Sequence, residues 1–139
     1  DVTRSRIAQM LSAEGKFDAA LDMHLERLPI VQELGVLDGL AQLRFSCAQI
    51  RLKRGDHERG EIQTIHDELA EAYAIARHLQ RSDFIGSIGS LHAQVLAMGR
   101  LFDEAIEVLH TATAAFDKIG QTQPAAHCRQ LIETIKSRR

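Results

Sequence analysis

The stretch "RIAQML", Arg6 to Leu11, returns as "CAQIRL" at Cys47–Leu52 and as "HAQVLA" at His92–Ala97. The shared element is an Ala, a Gln and an apolar residue: Ala8-Gln9-Met10, Ala48-Gln49-Ile50 and Ala93-Gln94-Val95. The Ala anchors stand 40 and 45 residues apart, a spacing that marks a repeat of one supersecondary unit. Seven residues past each anchor comes a turn signal: Gly15, Gly55, and Arg100 directly after Gly99. Twelve residues past each comes a small residue: Ala20, Gly60 and Ala105. The segments there read "GKFDAAL", "GDHERGEI" and "RLFDEAI", with Phe17-Asp18 matching Phe102-Asp103. A second set of breaks follows at "ELGVLDG" (33–39), "HLQRSD" (78–83) and "KIGQTQP" (118–124). The repeating unit is therefore two helices and two short turns, with Phe17 and Phe102 expected to plug the turn inside the unit.

The apolar residues between the breaks follow a helical period. Ile88, Leu91, Val95 and Met98 make one stripe, and Ile106, Leu109, Ala112, Ala115, Phe116 and Ile119 the next. Ile62, Ile65, Leu69, Ala72, Tyr73, Ala76 and Leu79 make the longest. The pattern predicts seven helices, over 2–14, 16–34, 38–54, 57–80, 83–98, 101–119 and 123–137. The fourth carries about five more residues than its counterparts and should project ~7 Å beyond them. Gly60 falls inside it, at a cost of about 1 kcal/mol relative to Ala. Ser82 and Thr122 are candidate N-caps, Pro124 suits a first turn, and Gly35 and Gly120 suit left-handed C-terminal caps.

Composition agrees with helices. Of 139 residues, 45% are hydrophobic, only 4% are aromatic, and just two are proline, which favours helix over strand. The length fits a single domain spanning 1–139. A net charge of −2 gives no electrostatic case for nucleic acid. No run of eighteen apolar residues exists to span a membrane, and the first residues given lack the charged-then-apolar pattern of a signal peptide. Cys47 and Cys128 lie far apart without a CxxC pattern, so two reduced thiols and a cytoplasmic location are expected.

Alternating helix pairs with small residues at matched positions resemble the tetratricopeptide repeat, in its variant of about 40–45 residues. The resemblance covers the whole chain. It implies an all-α fold, a right-handed α-α superhelix of three helix-turn-helix repeats at about 1–36, 37–81 and 82–120, with a capping helix over about 121–139. It also implies that a small residue on the first helix of each unit faces one on the second: Ala8 with Ala20, Ala48 with Gly60, and Ala93 with Ala105. The chain departs from the family where an aromatic begins the first helix, since Arg4, Arg44 and Gly89 stand there. The last helix suits a terminal cap, because Glu133, Lys136, Ser137, Arg138 and Arg139 give it a polar outer face. The first helix lacks such a face, which points to further repeats, a second subunit or a partner on the N-terminal side.

On a helix, Gln9 points about 100° away from Ala8. If the Ala anchors face their partner helices, the three glutamines face the neighbouring first helices. By resemblance that surface is the concave inner face, where tetratricopeptide proteins bind peptide segments. Its candidate members are Ser5, Gln9 and Ser12, then Gln42, Phe45, Gln49 and Leu52, then Ser87, Ser90 and Gln94. Such a face is polar and uncharged around one Phe, and amides can both donate to and accept from a partner's backbone. The Lys and Asn clamp that some family members use for a terminal carboxylate has no counterpart here. The alternative is that the glutamines bond one another or water.

A basic cluster, Arg44, Arg51, Lys53, Arg54 and Arg59, is a candidate docking patch or a paired helix surface, since Glu58, Glu61, Asp67, Glu68 and Glu71 follow it. The seven histidines are scattered without HExxH or i, i+4 spacing, so no metal and no cofactor is expected. No nucleophile elbow, P-loop or dinucleotide fingerprint occurs, so the chain reads as no enzyme. The expected function is a non-catalytic interaction module for a protein or peptide segment. The other reading is a structural, self-associating piece of a larger bacterial-type signalling protein.

Overall fold

The computed structural model describes residues 2–13 and 15–139, without the side chains of residues 2–5, 12, 13 and 34. Among the described residues the chain is all helical, with no strand. Its α-helices are α1 (Val2–Ala13), α2 (Phe17–Leu34), α3 (Leu37–Arg54), α4 (Ile62–Leu79), α5 (Ser82–Met98), α6 (Phe102–Lys118) and α7 (Thr122–Arg138). All but α4 lie within one residue of the bounds that periodicity predicts.

The fourth helix corrects the sequence reading. Its extra residues do not lengthen it: α4 has 18 residues, as α2 does. They form a separate 3-10 turn, Asp56–Arg59, closed on both sides by left-handed glycines, Gly55 at φ 87° and Gly60 at φ 88°. Glycine reaches that conformation without the Cβ clash other residues meet, so "GDHERG" folds as a turn and not as the start of a helix. Gly60 is exposed and cannot be the packed partner of Ala48. The other members of the expected small-residue pairs, Ala8, Ala20, Ala48, Ala93 and Ala105, are all fully buried.

The turns repeat as the anchors do. Gly15, Gly55 and Arg100, each seven residues past its anchor, have φ of 81°, 87° and 62°. The second helices end likewise, at Gly35 (66°), Gln80 (55°) and Gly120 (73°). Arg100 and Gln80 hold this shape at a cost of roughly 1 kcal/mol each. Ser82 and Thr122 are first helical residues rather than caps. Arg81 and Gln121 precede them and make no side-chain capping bond. Pro29 lies inside α2, where its missing N–H removes one helical hydrogen bond.

Contacts group the chain into two units, Asp1–Ala72 and Tyr73–Arg139. In the first, α2 packs on α1 and α3. Its core joins Ala20, Leu21, Cys47 and Ile50, with Leu11, Phe17 and Leu25 packed against them. In the second, α6 packs on α5 and α7 around Ala93, Leu96, Leu109, Phe116, Cys128 and Ile132. Each fully buried Leu or Ile contributes about 1.5–3 kcal/mol. Phe102 packs on this core as Phe17 does on the first. The last helix buries Ala125, Cys128, Ile132 and Ile135, while Glu133, Thr134 and 136–139 are exposed. Among the described residues no helix is long and apolar enough to cross a membrane.

Candidate binding groove

In the first unit, α1, α2 and α3 enclose a groove of about 580 Å³. On α3 the residues Gln42, Phe45 and Gln49 follow i, i+3, i+7 spacing, which sets them on one face. The flanking positions Ala41, Leu43, Cys47 and Ala48 are buried, and Leu43 also lines the groove. Gln42, Phe45 and Gln49 all line the groove, and α1 adds Gln9. Phe45 is half-buried and the three glutamines are exposed, so their amides are open to solvent around one aromatic ring. A smaller recess of about 170 Å³ is lined by Gln9, Gln49, His24 and Lys53.

The structure therefore brings together four of the residues singled out in the sequence. Leu52 is half-buried and is not among the residues lining the groove. The side chains of Ser5 and Ser12 lie outside the described residues. Ser87, Ser90 and Gln94 belong to the second unit. There Gln94 Nε2 donates to the Ser90 carbonyl one turn back at 3.3 Å, which engages that amide within its own helix. The Cys128 thiol and the Ser90 hydroxyl also interact.

Six groove residues were not singled out in the sequence, and Arg6, His24 and Arg27 are the titratable ones among them. His24 is only 4% exposed, and its Nδ1 is buried without a hydrogen-bond partner. Burial, and then the Arg27 charge, lower its pKa below the ordinary histidine value of 6.5. One signal was present. On α2 the stripe Ala20, Leu21, His24, Leu25, Leu28 puts a histidine at a core position of an otherwise apolar row.

The basic cluster is mostly consumed by the fold, and not through i, i+4 neighbours on one helix. Arg54 donates from Nε and Nη2 to the Asp56 carboxylate at 2.8 and 2.7 Å, and from Nη1 to Asp18 at 2.8 Å. These bonds hold the buried Asp56 carboxyl below its usual range. Arg51 pairs with Glu68 at 2.9 Å and Arg44 with Glu71 at 3.3 Å. Arg44, Arg51 and Arg54 therefore tie α3 to the 3-10 turn, α2 and α4. The docking-patch reading retains only Lys53 and Arg59, both exposed.

Among the described residues no three His, Cys, Asp or Glu side chains gather as a metal site. His92 is buried, 5.6 Å from the Tyr73 ring centroid. Cys47 and Cys128 are free and buried, and burial, assisted by the Glu68 charge, pushes the Cys47 thiol up to about 12. Neither a protein-family model nor a curated protein matches the chain.

Proposed function

We propose that this chain is a non-catalytic interaction module of tetratricopeptide type that receives a polypeptide segment in the groove of α1, α2 and α3. The observation that carries this reading is the joint exposure of Gln9, Gln42 and Gln49 around half-buried Phe45 in one groove. Amides that both donate and accept suit an extended backbone, and the Phe ring offers apolar area. The recurrence of left-handed turns at Gly15, Gly55 and Arg100 supports the repeat assignment. Cys47 is no activated nucleophile, since burial pushes its thiol up to about 12. Two buried free thiols suit a reducing compartment, in keeping with the cytoplasm.

The test is selection from a displayed peptide library on the full chain, followed by titration of the selected peptides against Phe45→Ala/Gln49→Ala. Affinity should fall at least ~10-fold, with the melting temperature within a few degrees of the parent. Undiminished affinity in a folded double variant overturns the groove reading.

A second reading, self-association through α1, rests on Ile7 and Met10. They lie one turn apart and are 43% and 62% exposed. Light scattering that shows a monomer at every concentration removes it.

A further inference from the structure

The groove carries charge of one sign. Among the described residues lining it, Arg6 and Arg27 are cationic and none is acidic. The chain as a whole holds 19 acidic and 17 basic side chains, so this excess does not follow from composition. Arg6 in particular contrasts with the arginines on the other face of α3. There Arg44, Arg51 and Arg54 each meet a carboxylate supplied by the fold itself. Arg6 is exposed and forms no ion pair with a described residue.

His24 adds a second, independent observation. It lines both the groove and the adjoining recess, it is buried, and its Nδ1 has no partner. Buried polar atoms in folded proteins are nearly always satisfied by protein or ordered water, so an orphan in the wall of a cavity is open to a water or to a ligand atom.

We propose that the occupant is an acidic segment of a partner polypeptide, with side-chain carboxylates at Arg6 and Arg27 and its main chain on the glutamine amides. The inference rests on the groove reading above and adds the chemistry of the partner. Guanidinium groups hold carboxylates through charge-assisted pairs, roughly twice as strong as neutral hydrogen bonds. An extended main chain presents alternating N–H and C=O groups, which Gln9, Gln42 and Gln49 can meet in either sense. A small anion uses the arginines but leaves this amide row and Phe45 without a role.

Two labelled peptides test it, one of alternating Glu and Ala and one with Gln for every Glu. Both are acetylated and amidated so that neither terminus contributes charge. Fluorescence anisotropy against the full chain should show the Glu peptide binding at least ~10-fold tighter at low salt, an advantage that narrows as salt screens the pairs. Arg6→Gln and Arg27→Gln should each weaken the Glu peptide by more than the Gln peptide and so narrow the gap between the two. Arg27→Lys should keep most of the preference. If Arg27→Gln fails to fold, the exposed Arg6 still carries the test. Equal affinity for both peptides, lost together in Phe45→Ala/Gln49→Ala, overturns the acidic partner and spares the groove reading. Binding of both that survives this double variant overturns both readings. Displacement of the Glu peptide by equimolar tripolyphosphate overturns a polypeptide source in favour of anions in general, and failure of both peptides to bind overturns the inference.

Discussion

Arg51 Nε on α3 donates to Glu68 Oε1 on α4 at 2.9 Å, with side chains only 15% and 5% exposed. The pair joins two helices separated by the 3-10 turn. Burial raises the Glu68 carboxyl above its usual range, and the Arg51 charge acts against that. A buried carboxylate without its cation is costly, whereas a pair replaced whole by apolar groups is often neutral.

Arg51→Met should therefore destabilise the chain by about 3 kcal/mol, and Arg51→Met/Glu68→Leu should recover most of it. Urea unfolding measures both. The sign with pH follows from the raised carboxyl. Its cost is present above the folded pKa and fades as pH falls through it, because a protonated Glu68 needs no cation. The Arg51→Met deficit should accordingly shrink in mild acid. A deficit that grows there contradicts the assignment.

His24 sets a second pH dependence, of opposite direction. Its folded pKa lies below 6.5, lowered by burial and then by Arg27. The unfolded chain takes up this proton at a higher pH than the folded chain does. The stability from neutral His24 is full above 6.5 and is lost as pH falls through the lowered value. His24→Gln stays neutral throughout, so its melting temperature should fall by several degrees less than the parent's between pH ~7.5 and ~5.5. Parallel melting curves for the two proteins contradict a buried neutral His24.

The turns were legible because each depends on one residue. Gly15 and Gly55 announce a left-handed turn by being glycine, and Arg100, at the same distance from its own Ala anchor, takes the same conformation. Gly60 misled for a related reason. A small residue at the expected spacing looks like a packing site, but a second left-handed glycine five residues after Gly55 ends a 3-10 turn first. The groove was half legible. Spacing along a single helix is enough to put Gln42, Phe45 and Gln49 on one face of α3. Nothing in that period says that Arg6, His24 and Arg27 join them, since this depends on how α1 and α2 pack against α3. The pairing of Arg54 with Asp18, 36 residues away, was hidden for the same reason.

Close packing of α5 on α6 gives the last expectation. A Cβ at Gly86 would stand 2.6 Å from Cε1 of Phe116 and 2.8 Å from two further ring atoms. Phe116 is 5% exposed and packs in the core of the second unit, so the ring has little room to yield. Alanine is the better helix former by about 1 kcal/mol, and on an exposed face Gly86→Ala would be stabilising. Here the overlap wins, and the substitution should cost about 1–3 kcal/mol net of that gain. Phe116→Leu frees the space, so Gly86→Ala should cost less in that background, with a coupling of at least ~0.5 kcal/mol. Chemical denaturation of the two single variants and the double variant measures the cycle, and strictly additive effects refute the contact.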